Sequence, residues 1–204
     1  MKKILLTGST GFVGTNIIKS GVLNDFSVLA PSSSKLNLLD KSAVRNYIQK
    51  NSPELIIHSA GNVGGILKSI NSNYSFLLDN SLMAINLISE SLNSGVSNFL
   101  NISSSCIYPK NSKQPIKEKY LLTSELEKTN EAYALAKIVG LKACEFYNQQ
   151  YGTSYLTLMP CNLYGPNDDF NSKNSHFIPA LIKKFNDTEK GNPLSGSDWQ
   201  FEHR

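Results

Sequence analysis

Long hydrophobic runs are missing from this 204-residue sequence. No stretch approaches the ~18 apolar residues that a membrane span requires. The opening Met1-Lys2-Lys3-Ile4-Leu5-Leu6 begins like a signal peptide, but Thr7-Gly8-Ser9-Thr10-Gly11 ends the apolar run far too early. Cysteine is scarce: three, an odd number with no framework spacing. That excludes a disulfide scaffold and makes reduced thiols the default. Charge of one sign is scarce too, with 20 Lys and Arg against 16 Asp and Glu. The lysines are scattered rather than clustered, so nucleic acid is not an expected partner. No metal site is expected. The expectation is a cytoplasmic protein that meets neither membrane nor nucleic acid.

What is present is enough apolar content, 40%, for one buried core in a chain of this length. Strands are expected at 4–7, 26–30, 54–60, 98–103 and 155–159, and helices at 11–20, 40–51, 73–94, 129–151 and 178–186. The third strand is apolar almost throughout, as it must be when both faces are covered. Strands alternating with helices imply an α/β fold: a doubly wound, parallel, Rossmann-like sheet. Only five strands are visible where such sheets usually have six or more, so the chain is expected to stop before the sheet is complete. Residues 1–170 read as the dinucleotide-binding domain and 171–204 as the start of a second, substrate-binding one.

Gly8-x-x-Gly11-x-x-Gly14 lies directly between a strand and a helix. The first glycine permits a tight turn, the second lets a pyrophosphate approach the backbone, and the third lets helix pack on strand. Ser9, Thr10, Phe12 and Val13 complete that candidate cofactor loop, whose helix N-terminus offers amide donors to phosphate. The spacing is wider than the usual Gly-x-Gly-x-x-Gly, and alone it is compatible with a plain turn. The second strand ends in Ala30-Pro31-Ser32, with no acidic residue for the ribose of NAD and no Arg for a 2′-phosphate. Lys35 and the serine hydroxyls stand in, which favours NADPH. Asp40 either reaches toward the adenine or simply caps the next helix.

Tyr133 and Lys137 are one helical turn apart and share a face. Upstream, Ser104 falls at the end of the fourth strand. The trio is proton-transfer equipment for a carbonyl: an ammonium that lowers the phenol's pKa, a phenol that gives or takes the proton, and a hydroxyl that meets the developing charge. Tyr-x-x-x-Lys alone arises by chance in many helices. The strand-end serine within a dinucleotide-binding architecture is what gives it meaning. Cys106, two residues past Ser104, adds a second acid–base group; otherwise it is a small buried hydrophobe. Cys144, on a helix, and Cys161, at a strand end, read as structural. His58 reads as packed within the sheet, His176 as a loop or capping residue, and His203 carries nothing.

These residues resemble the extended short-chain dehydrogenases and, within them, the GDP-L-fucose synthase family. The likeness rests on Val63-Gly64-Gly65-Ile66, Ser104-Ser105-Cys106-Ile107-Tyr108-Pro109 and Tyr133-Ala134-Leu135-Ala136-Lys137. It continues in Met159-Pro160-Cys161-Asn162-Leu163-Tyr164-Gly165-Pro166 and Asn174-Ser175-His176-Phe177-Ile178-Pro179. The resemblance implies NADPH-dependent epimerisation and reduction of GDP-4-keto-6-deoxy-D-mannose to GDP-L-fucose. Cys106 and His176 would exchange protons beside the ketone. Ser104, Tyr133 and Lys137 would serve the reduction. It also implies that Ile102, Ser103, Ser104, Ser105, Lys137, Pro160, Cys161, Asn162, Leu163 and His176 line the cofactor. Lys184 and Trp199 would then face the GDP-sugar. Homodimerisation through the two long helices is implied as well. The likeness dissolves after about Lys190. Two alternatives stay open: another sugar-nucleotide epimerase or dehydratase of this fold, or a shortened nucleotide-binding remnant without turnover.

Overall fold

The computed structural model describes residues 1–64, 72–170 and 177–189. Its elements in chain order are β1 (Lys3–Thr7), α1 (Phe12–Lys19), β2 (Ser27–Leu29), α2 (Lys41–Asn51), β3 (Leu55–His58), α3 (Asn73–Asn93), β4 (Asn98–Ile102), α4 (Glu131–Tyr151), β5 (Ser154–Leu158) and α5 (Phe177–Glu189). The five strands form one sheet in the order β2-β1-β3-β4-β5, every pairing parallel. A parallel pair requires a crossover, and the helical segments between strands supply it. No sixth strand occurs among the described residues.

Period-2 alternation sorts the side chains between two faces. On one face Leu5, Ile56, Phe99 and Tyr155 join Val44 and Ile48 of α2, Ala84, Leu87 and Ile88 of α3, and Cys144 of α4 in the main core. On the other, Ile4, Leu6 and Ile57 pack under Ile17 of α1. The register runs Leu6–Ile57–Leu100–Leu156 along that second face. Helix α1 covers its start, while Leu156 at the β5 end is 64% exposed. Between α2 and α3, Glu90 is buried and paired with Arg45 at 2.8 Å and Lys41 at 3.5 Å. Arg45 holds that carboxyl below its ordinary pKa.

The expected element boundaries hold to within a few residues, β3 being shortened most at its C-terminal end. Ser59 still donates its N–H to Thr7 O at 3.3 Å, and the chain then leaves the sheet. Asn80 of α3 captures it there, accepting from Asn62 N at 2.8 Å and donating to Asn62 O at 2.9 Å. Asp40 is a helix cap: its Oδ1 accepts from the N–H groups of Ser42 and Ala43 at 2.9 and 3.0 Å. The direction of chain progression reverses between β1 and β3, so their C-terminal ends flank the crevice where open α/β sheets bind ligands.

Candidate active site

The β1–α1 turn shows why its glycines are glycines. Gly8 has φ +70°, and a Cβ there would stand 2.5 Å from the backbone nitrogen of Ala60. A Cβ on Gly14 would lie 2.2 Å from Gly8 O, so helix and turn touch backbone to backbone. Gly11 is freer, with only Gly8 O at 3.3 Å. It is the N-cap of α1, and no side chain caps that helix. Ser9 Oγ donates to Pro31 O at 3.5 Å, linking the turn to the end of β2. A glycine cradle at an uncapped helix N-terminus fits the diphosphate of a dinucleotide.

At the end of β4 the chain tightens into a 3-10 turn, Ser105–Ile107, with Ser104 as its cap. Ser104 Oγ accepts the N–H of Cys106 at 3.3 Å. Ser103 N–H donates to Leu158 O at 2.8 Å and Ser105 N–H to Pro160 O at 3.0 Å, so the ends of β4 and β5 are tied together. Ser103 is buried, and its hydroxyl has no hydrogen-bond partner among the described residues. Helix α4 then brings Tyr133 and Lys137 over this turn. Lys137 Nζ donates to Ile102 O at 2.9 Å and lies 5.5 Å from the centroid of the Tyr133 ring.

Electrostatics gives these groups distinct states. Lys137 is 8% exposed. Burial lowers its pKa to about 8, while a Cys106 thiolate would raise it. The expected depression of the Tyr133 phenol is not found. Its pKa is raised, first by burial and then by Cys106. The reason is geometric: the ammonium lies over the ring and is bonded to the Ile102 carbonyl, while the phenol is desolvated. Tyr133 is therefore a protonated acid in this state. Burial also pushes the Cys106 thiol up, against the opposing pull of Ser104, Lys137 and Asn130. One turn of strand end and one turn of helix thus place a hydroxyl, a thiol, a phenol and an ammonium together.

The family model for the NAD dependent epimerase/dehydratase family matches residues 4–199. The chain belongs to this family. Among its relatives are the GDP-L-colitose synthase of Yersinia pseudotuberculosis, 46% identical over 89% of this chain and 59% of that protein, and the GDP-L-fucose synthase of Azorhizobium caulinodans, 42% identical over 97% of this chain and 64% of that protein. A solved GDP-L-fucose synthetase from Naegleria fowleri, bound to NADP, superposes with a TM-score of 0.84 at 30% identity. The match covers 96% of this chain and 66% of that one. The chain spans about three fifths of the length of the two curated relatives.

For an epimerase/dehydratase family member, the placement of the remaining candidates is mixed. Pro160, Cys161, Asn162 and Leu163 follow β5, next to the Ser105 turn. Cys161 is exposed rather than packed, which corrects its structural reading; Cys144 is buried as expected. The continuation of this segment docks on α1: Asn16 Nδ2 donates to Pro166 O at 2.8 Å and Asn167 Nδ2 to Asn16 Oδ1 at 3.2 Å. Lys184 is half-buried on α5, next to Lys183, which pairs with Asp187 at 2.9 Å. Gly65 and Ile66, Asn174 to His176, Trp199 and His203 lie outside the described residues. His58 is buried as expected and pairs through Nδ1 with Thr7 Oγ1 at 2.9 Å.

Sequence reasoning missed Asn80. Asn80 fixes the loop whose Gly61 lies against the Lys137 ammonium: a Cβ on Gly61 would stand 3.1 Å from Asn80 Oδ1 and 3.9 Å from Lys137 Nζ. Nothing in the pattern around Asn80 sets it apart from other helical polar residues.

Proposed function

We propose that this chain carries the cofactor-binding and catalytic part of an NADPH-dependent epimerase–reductase that converts GDP-4-keto-6-deoxy-D-mannose to GDP-L-fucose. The observation that carries the reading is the meeting of Cys106 with Ser104, Tyr133 and Lys137. A reductase needs the last three; the added thiol supplies the base that epimerisation beside a ketone requires. The relatives named for GDP-sugar synthases support the substrate class. The NADP bound by the Naegleria fowleri protein supports the cofactor.

When bound, NADPH supplies a hydride for the ketone carbon. Gly8, Gly11 and Gly14 leave room for its diphosphate, with Ser9, Thr10, Phe12 and Val13 around them. Ile102 to Ser105 and Pro160 to Leu163 frame the opposite side, and Asp40 stays with its helix. Cys106 removes the proton next to the ketone, and His176 returns one on the other face. Ser104 hydrogen-bonds the carbonyl oxygen as it gains charge. Tyr133, held protonated by burial, gives that oxygen its proton, and Lys137 stabilises the phenolate left behind. Lys184 and Trp199 complete the GDP-sugar side, with residues 171–204 opening the substrate-binding domain. Apolar residues exposed on the long helices, among them Leu77 and Leu78 of α3 and Val139 and Phe146 of α4, support pairing of two copies.

The test is NADPH oxidation, followed optically, on adding GDP-4-keto-6-deoxymannose to the purified chain. We expect oxidation with GDP-L-fucose as product. Cys106→Ser should slow epimerisation by about two orders of magnitude or more with NADPH binding intact, and Tyr133→Phe should remove reduction. Wild-type rates in either variant would sink that residue's role. No oxidation by a folded, NADPH-binding chain would overturn the claim that these residues suffice. The relative with 46% identity makes a second sugar worth testing; product analysis separates GDP-L-fucose from GDP-L-colitose.

A further inference from the structure

The segment that follows β5 is anchored at both ends. At its start, Ser105 N–H donates to Pro160 O at 3.0 Å, in the turn that carries Cys106. At its far end it lands on α1. Asn16 Nδ2 donates to Pro166 O and to Phe12 O, each at 2.8 Å, and Asn16 Oδ1 accepts from Asn167 Nδ2 at 3.2 Å. Lys19 Nζ, one turn further along α1, donates to Asn167 Oδ1 at 2.5 Å. Both carboxamides thus use nitrogen and oxygen alike, and the ammonium closes the chain. Asn167 sits at φ +67°, a left-handed conformation that asparagine tolerates better than most residues. Between the anchors the packing is open. Cys161, Asn162, Leu163 and Tyr164 are exposed, and a Cβ on Gly165 would meet nothing within 4 Å.

The landing point is no neighbour of β5. Three strand spacings, about 14 Å, separate β5 from β1 in the order β1-β3-β4-β5. Helix α1 follows β1 and packs under β1 and β3 through Ile17, on the face opposite to α4. The segment therefore crosses the C-terminal ends of β4 and β3, where the crevice opens. Tyr133 and Lys137 approach that crevice from the α4 side. We propose that Asn16, Lys19 and Asn167 are positioning residues: their latch holds residues 160–166 across the crevice as a ready-made wall for the nicotinamide half of a dinucleotide whose diphosphate sits at the start of the same helix. The proposal rests on the NADPH reading of the glycine turn, and it gives the three residues no contact with the cofactor. The effect is one of population. Without the latch the segment samples open positions, and a ligand that needs the wall binds only the latched fraction. The adenosine half, which points toward the end of β2, does not need it.

The experiment pairs two readouts on the full chain. One is chymotryptic cleavage after Leu163 and Tyr164, resolved by mass spectrometry. The other is affinity for NADPH and for 2′,5′-ADP, its adenosine half, by titration calorimetry. Cleavage tracks the open population when opening and closing are fast. Asn16→Ala removes the carboxamide and leaves the best helix former in its place. It should raise cleavage about three- to tenfold and weaken NADPH binding by the same factor, the size expected from losing one or two solvent-facing hydrogen bonds. Affinity for 2′,5′-ADP should stay within about twofold of wild type. Lys19→Ala, at an exposed side chain, should act in the same direction and carries the test if Asn16→Ala fails to fold. Lys19→Arg keeps a donor and should return both readouts to wild type. Wild-type cleavage rates in both alanine variants would overturn the latch. Equal losses of NADPH and 2′,5′-ADP affinity would overturn the wall, because the contacts would then only support α1. A wild-type chain that binds neither nucleotide would sink the NADPH reading and the wall with it, while cleavage would still judge the latch.

Discussion

Lys137 carries its charge in a place that resists it. Burial lowers its pKa from 10.5 to about 8. Below pH 8 both folded and unfolded chains bind the proton, and the folded state bears a cost of about 3 kcal/mol. Between pH 8 and 10.5 that cost fades. The bond to Ile102 O offsets about 1 kcal/mol of it. Lys137→Met should therefore unfold at higher urea, by about 1–2 kcal/mol at pH 7, while reduction is lost. A variant no more stable than wild type would mean that the ammonium is not strained by its burial. The residue was legible as half of a Tyr-x-x-x-Lys pair. Its bond to a strand-end carbonyl, and the raised rather than lowered phenol pKa beside it, were not legible, because they depend on which groups desolvate one another.

At the scale of elements, the β1–α1 turn separates a glycine that packing requires from one that it does not. Gly14→Ala drives a Cβ into Gly8 O, a backbone atom that cannot step aside. A loss of about 1–3 kcal/mol in stability is expected. Gly11→Ala meets only one atom at 3.3 Å, so the fold should hold while NADPH affinity falls. Thermal unfolding and NADPH fluorescence titration, measured on both variants, check the contrast; equal stability losses would contradict it. The turn was visible in the sequence from strand, glycine spacing and helix alone. Asp40 shows the limit of such reading. From its neighbours it was equally a cofactor ligand or a cap, and only the placement of its Oδ1 over the Ser42 and Ala43 amides assigns it to the helix.

Across the whole molecule, stability should depend on pH through His58, in the middle of the sheet. Burial and then Lys137 lower its pKa from 6.5 to about 3. Above pH 6.5 it is neutral folded or unfolded and contributes no slope. As the pH falls from 6.5 toward 3, the unfolded chain takes up a proton that the folded chain refuses. Stability then drops by about 1.4 kcal/mol per pH unit. Glu90, whose carboxyl is held down by Arg45, adds its loss only below the ordinary carboxylate pKa of 4.5. Urea midpoints between pH 6.5 and 4.5 should thus fall more steeply for wild type than for His58→Asn; parallel slopes would show that another group titrates. The sheet as a whole also leaves β5 with Leu156 and Leu158 exposed on one face, at 64% and 50%. A strand edge with an apolar flank favours association unless it is covered.

Periodicity and local chemistry determined the strands, the helices, the parallel sheet and the glycine turn, because each depends on residues within a few positions of one another. The same locality exposed Ser104, Cys106, Tyr133 and Lys137 as candidates. Tertiary structure alone decided the rest. It set the pairing of His58 with Thr7 and the capture of the β3 loop by Asn80. Those contacts join segments 18 to 51 residues apart, and no local pattern encodes which distant atom a buried polar group will find.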